Sequence, residues 1–220
     1  MRTFSNYLLL VLLFISSQFY AKSSAPVKAK NGMVVSASEI ASMVGTEILK
    51  NGGNAVDAAV ATGFALAVTY PQAGNIGGGG FMVIHLANGT NPTLDYRAKA
   101  PPKAFRDMFL NSKGDFDISL STEGWTSSGV PGSVYGLLMA LDKYGTMTRG
   151  QVLQPAIELA NNGFNIDYRF ARALNHYKKK FSSIESTRKI FTKEENLFFE
   201  NDLFVQKDLG KTLTKIMDLG

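Results

Sequence analysis

Four consecutive glycines, Gly77–Gly80, separate two apolar stretches of opposite character, and this junction limits the folds open to the chain. Such a run favours neither helix nor strand, so Gln72–Gly80 reads as a loop. The stretch before it, about Asn54 to Thr69, is rich in small residues (Ala55, Ala58, Ala59, Ala61, Gly63, Ala65, Ala67). A helix apolar almost all round belongs in the interior, and small side chains let neighbours approach closely. Pro71 ends it. The stretch after the glycines, Phe81 to Leu86, reads as a strand, Asn88-Gly89 as a turn, and Thr93 to Arg97 as the returning strand. With the turn centred near 88–89, antiparallel register sets Arg97 opposite the start of the first strand, beside Gly77–Gly80.

Upstream, Val34-Val35 predicts a short strand. Ser38 is a candidate N-cap for a helix carrying Ile40, Met43, Val44 and Ile48, with Gly52-Gly53 as its stop. Downstream, residues 101–130 read as loop-rich, with a turn at Gly129-Val130-Pro131-Gly132. Further helices are predicted over Ser133–Tyr144, about Thr148–Asn161, Asp167 to about Lys178, and Lys207–Asp218. Neither an internal repeat nor an interdomain linker stands out.

The first 25 residues differ from the rest. Arg2 and the apolar run Tyr7–Ile15, followed by small residues at Ala21 and Ser23-Ser24-Ala25, read as an export signal over 1–25. Ser16, Ser17 and Gln18 interrupt the run well short of the roughly 20 apolar residues a spanning helix needs, so no stable membrane span is expected. The mature chain, 26–220, is expected in the periplasm or outside the cell. It holds no cysteine, which excludes disulfides and thiol nucleophiles, and its two histidines, His85 and His176, fall in no metal-ligand spacing. The net charge of +5 is too mild and dispersed to suggest nucleic acid as a partner.

Few residues offer chemistry. Phosphate loops run strand, glycines, helix, whereas here the order is helix, glycines, strand, with no Lys-Ser/Thr following. Two readings of Gly77–Gly80 remain: a tight structural crossing, or a wall without side chains that leaves room for a small anion. Alternation along Leu94–Arg97 puts Asp95 and Arg97 on one face and Leu94 and Tyr96 on the other. Arg97 therefore either pairs with Asp95 or another acid, or offers a bidentate fork to a carboxylate. The basic run between Asn165 and Lys193 reads as a solvated face. Ser127-Ser128 lacks a histidine partner, and Asp115 and Asp117 read as a surface pair.

Several blocks resemble the γ-glutamyltransferase family: Glu47–Ala61 with its Gly52-Gly53-Asn54-Ala55-Val56-Asp57-Ala58-Ala59 core, Pro71–Met82 with the four glycines, Asp95-Tyr96-Arg97 with Ala100-Pro101, Val130–Val134, and Leu141–Gly145. The likeness covers about residues 33–220 and weakens after Tyr168. It implies an α+β fold, the helix-rich N-terminal portion of an αββα sandwich of the N-terminal nucleophile hydrolase type, with residues 26–220 as an incomplete large subunit.

The resemblance further implies a precursor that cuts itself into large and small subunits, and a cofactor-free reaction on glutathione or another γ-glutamyl compound. The small subunit's N-terminal threonine would attack the γ-glutamyl amide, and the acyl group would pass to water or to an amino acid or peptide acceptor. Arg97 matches the position that binds the substrate α-carboxylate; the nucleophile would lie beyond Gly220, so the chain alone is expected to be inactive. One departure is Ala98, where the family often has an acidic residue. Other readings are a non-catalytic glutamyl-binding protein and a related acylase.

Overall fold

A computed structural model describes residues 25–220. Ala25–Gly32 fall in a separate N-terminal unit and are exposed, without regular secondary structure. The expected export signal lies outside the described residues, Ala25 excepted.

In the second unit, Met33–Gly220, helix α1 (Glu39–Lys50) opens where the Ser38 hydroxyl accepts the Ala41 N–H at 3.4 Å. It ends at Asn51, and Gly52 turns the chain with φ of +89°, a conformation in which a side chain is strained. Helix α2 (Ala55–Thr69) starts three residues later and is the centre of the core, with Val60, Ala61, Phe64, Ala65 and Val68 fully buried. Its small side chains let α1 cross closely: a methyl group on Gly45 would run into the Thr62 hydroxyl and lie 2.8 Å from Val34. Helices α4 (Ser133–Tyr144) and α5 (Arg149–Asn162) pack against α2, and a later helix, α9 (Lys207–Leu219), packs on α5. Buried Gln206 fastens this layer: its side-chain amide donates to Val68 O at 2.8 Å and its backbone N–H to Ala160 O at 2.9 Å.

The expected hairpin forms from β1 (Phe81–Val83) and β2 (Thr93–Asp95), antiparallel, with Phe81 opposite Asp95 and Val83 opposite Thr93. Its strands are shorter than the sequence suggests. Pro92 has no N–H to return, so pairing continues one way only, Ile84 N–H to Pro92 O at 3.0 Å. The strand expected at Val34-Val35 is absent; the segment has no backbone hydrogen-bonded neighbour among the described residues, and Val35 is 81% exposed. Conversely, the loop-rich stretch contains a short helix α3 (Ile118–Thr122), capped by Asp117, and a 3-10 turn at Trp125–Ser127.

After α5 the chain enters β3 (Phe164–Asn165), which pairs with β4 (Leu203–Phe204), a ladder too short for its alternation to show in sequence. The helix expected over Asp167–Lys178 is α6 (Tyr168–His176), capped by Asp167; it breaks at Tyr177 before α7 (Lys178–Ser182) and α8 (Glu185–Phe191). Phe164, Phe170, Phe191 and Phe198 surround Phe204 with ring centroids 5.2–6.0 Å from it, which anchors this region to the core. The basic run lies on its outside: Lys180, Lys189 and Lys193 pair with Glu123, Glu185 and Asp202, and Arg169, Arg172 and Lys179 are exposed.

Candidate functional site

The register of the hairpin puts Arg97 where the sequence predicts it. Pairing extends one step beyond the strands, since Tyr96 N–H donates to Gly80 O at 3.0 Å and Gly80 N–H to Tyr96 O at 3.3 Å. Arg97 is thus opposite Gly79, where a methyl group would come within 2.7 Å of the Arg97 carbonyl carbon and 2.6 Å of Tyr96 O. On its other side, Lys99 pairs with Val130 through N–H···O bonds of 3.0 and 2.8 Å. Arg97 therefore sits between two fixed points, Tyr96 and Lys99. The same turn ties the glycine loop to α4, because Gly78 O accepts the N–H groups of Gly132 and Ser133 at 2.8 and 3.0 Å.

The four glycines divide into two pairs. Gly79 and Gly80 make the close crossing: a methyl group on Gly80 would lie 2.9 Å from the Tyr96 ring. Gly77 and Gly78 are less crowded: a methyl group on Gly77 would meet Asn75 Oδ1 at 3.3 Å, and one on Gly78 would find Asn75 Oδ1 and Ser133 Oγ nearest, both at 3.7 Å. The structural-crossing reading of this loop therefore holds for Gly79 and Gly80.

Alternation along β2 is as expected, with Leu94 buried and Tyr96 half-buried on the inner face, and Asp95 and Arg97 exposed. Arg97 does not pair with Asp95 through its side chain. The Asp95 carboxylate accepts the backbone N–H of Arg97 at 3.0 Å, and the guanidinium forms no ion pair with any described residue. It lies over the ring of Phe81, 5.8 Å from the centroid. A guanidinium without an acidic partner has N–H edges to offer a planar, two-oxygen acceptor. Ala98 is exposed and its methyl offers no polar group to hold it. Ser127 and Ser128 remain in the exposed 3-10 turn region, where the Ser127 hydroxyl donates to Gly124 O at 2.7 Å.

Asp57 has a role that the sequence reading did not assign. It is fully buried and forms a capping box with Asn54: the Asn54 N–H donates to its carboxylate at 2.8 Å, while Asn54 Oδ1 accepts the Asp57 N–H at 3.0 Å. The carboxylate also accepts the Thr146 N–H, the Thr146 hydroxyl and the Met147 N–H at 2.9, 2.7 and 3.1 Å. Burial pushes this carboxyl up, but the Thr146 hydroxyl and the backbone N–H groups of Asn54, Met147 and Thr146 together hold it below its ordinary value. The Asn-x-x-Asp spacing was the available signal; the partner turn 89 residues away was not.

Comparison with known proteins identifies the family. The gamma-glutamyltranspeptidase family model matches residues 41–220. The chain is 49% identical to the glutathione hydrolase proenzyme of Escherichia coli (strain K12) over 89% of this chain and 34% of that protein. With the glutathione hydrolase proenzyme of Pseudomonas sp. (strain A14) it shares 48% identity over 100% of this chain and 38% of that one. Among solved structures, the Helicobacter pylori gamma-glutamyltranspeptidase superposes with a TM-score of 0.85 at 51% identity, covering 89% of this chain and 56% of that chain. A cephalosporin acylase from Bacillus halodurans gives a TM-score of 0.74 at 25% identity, covering 91% of this chain and 38% of that chain.

The fold is thus α+β, the helix-rich portion of an N-terminal nucleophile hydrolase. The chain belongs to the gamma-glutamyltranspeptidase family. It spans 34% and 38% of the two proenzyme relatives. The family match runs through to Gly220, past Tyr168 where the sequence blocks thin out.

Proposed function

We propose that this chain forms the N-terminal part of the large subunit of a γ-glutamyltransferase precursor, and that Arg97 binds the α-carboxylate of the γ-glutamyl group. The observation that carries the reading is a guanidinium with no acidic partner among the described residues, lying over Phe81 and borne by a backbone segment pinned on both sides. Buried or paired arginines hold structure; an exposed one on a braced backbone is suited to a ligand carboxylate.

Chemistry requires groups supplied from beyond Gly220. There the N-terminal threonine of a small subunit attacks the γ-carbonyl, its α-amine taking the hydroxyl proton, and the amine portion of the donor leaves. Water or an amino acid or peptide then takes the acyl group. The two proenzyme names support a precursor that matures by cleavage, and glutathione is the donor their names suggest. Arg2 and the apolar run Tyr7–Ile15 support export, to the periplasm or the cell exterior, with removal of the leader. Among the described residues no helix is long and apolar enough to cross a membrane.

In the full-length precursor, Arg97→Lys should raise KM for glutathione about 10- to 100-fold, because a point charge replaces a two-pronged fork. Unchanged kinetics would remove Arg97 from the site. The 220-residue chain alone should show no turnover; calorimetric binding of glutamate by that chain would instead favour a carboxylate-binding module. An acylase activity is disfavoured by the lower identity to the cephalosporin acylase, 25% against 51% for the transpeptidase structure.

A further inference from the structure

The segment just after β2 that carries Arg97 is wedged against the N-cap and first turn of α4 at two points, and both are glycines. A methyl group on Gly132 would collide with Tyr96 O and stand 3.2 Å from Arg97 O. One turn further along, a methyl group on Gly136 would collide with Cγ and Cβ of Tyr96. These are the root of the ring, not its far end, so the ring cannot swing aside without moving the backbone of Tyr96 and hence of Arg97. Gly80 closes the other side, since a methyl group there would meet the outer ring atoms of Tyr96 at 2.9–3.2 Å. Nothing in helix geometry demands glycine at 136: α4 continues to Tyr144, and glycine in a helix interior costs about 1 kcal/mol relative to alanine.

We propose that Gly132 and Gly136 are positioning residues for donor recognition: with Gly80 they clamp Tyr96 and so set the direction in which the Arg97 guanidinium is presented. The inference rests on the reading of Arg97 as the carboxylate site and adds a mechanism for its aim. A displacement of about 1 Å in a binding group is enough to lose much of its contribution. Added bulk at 136 therefore acts on the donor through Arg97, without touching it.

The test compares variants of the full-length precursor with glutathione as donor. Gly136→Ala should raise KM about 10-fold while kcat stays within about 3-fold, the signature of lost uniform binding. Tyr96→Leu, which removes the ring without overpacking, should shift KM in the same direction and covers the case in which Gly136→Ala fails to fold. Leu138→Ala, a buried change on the same helix, should lower the melting temperature and leave KM unchanged. Gly150→Ala, where a methyl group would meet nothing nearer than 3.8 Å, should alter neither KM nor kcat. The clamp is overturned if Gly136→Ala and Tyr96→Leu both keep the parental KM while Arg97→Lys raises it, or if Leu138→Ala raises KM as much as they do. A flat result for Arg97→Lys would overturn the carboxylate reading itself, and the clamp with it.

Discussion

Asp57 and Arg97 come from neighbouring motifs of the same chain, yet the structure treats their charges in opposite ways. Asp57 is fully buried, and its two oxygens accept the Asn54, Thr146 and Met147 N–H groups and the Thr146 hydroxyl. Arg97 is exposed, with its backbone fixed and its guanidinium free of acids among the described residues. A saturated charge is a fastener; an unsaturated one on a rigid mount is available to a ligand, the role proposed for Arg97. The contrast separates two residues that a motif match alone weights equally.

Asp57→Ala tests the fastener side and should have the largest effect. It removes a buried carboxylate that accepts four hydrogen bonds, from the N–H groups of Asn54, Thr146 and Met147 and the Thr146 hydroxyl, so unfolding free energy should fall by about 3 kcal/mol or more in a denaturant titration. A loss below about 1 kcal/mol would mean that water replaces the carboxylate and that the corner is no fastener. Arg97→Ala should do the reverse, leaving the denaturation midpoint almost unmoved.

Acid provides a second, smaller test. The Asp57 carboxyl titrates below its ordinary value of 3.8 in the folded chain. Its stabilising contribution is therefore complete above about pH 4 to 5 and is lost as the pH drops below 3.8 through the lower folded value. Asp57→Asn should flatten this part of the stability profile below about pH 4. A variant profile parallel to the parent would assign the acid sensitivity to other groups.

The smallest effect belongs to the basic surface. Lys180 and Glu123 meet at 3.2 Å with both side chains largely exposed. Lys180→Ala should change stability by no more than about 0.5 kcal/mol by thermal melting. A larger loss would show that this surface contributes to the fold after all.

Much of the comparison could be read in the sequence. Asn88-Gly89 and the alternation through Leu94–Arg97 fixed the hairpin and its register, and so the place of Arg97, because turn chemistry and period-two patterning are local. The small-residue pattern of 54–69 showed equally well that α2 is buried. Contacts between distant segments were not legible. The bonds from Asp57 to Thr146, and the seating of Tyr96 against Gly136, join residues far apart in the chain with no shared period. Val34-Val35 failed for the opposite reason: strand propensity was present, but a strand also needs a neighbour, and none lies beside it among the described residues.

The receptor side is tested most directly by a ratio of kcat/KM values in the full-length precursor. A γ-glutamyl donor is compared with an analogue lacking only the α-carboxylate, for the parent and for Arg97→Lys. The parent should favour the complete donor by about 100-fold, and the variant should lose at least about 10-fold of that preference, mainly through the complete donor. If the substitution leaves the ratio unchanged, the free guanidinium over Phe81 is not the carboxylate receptor.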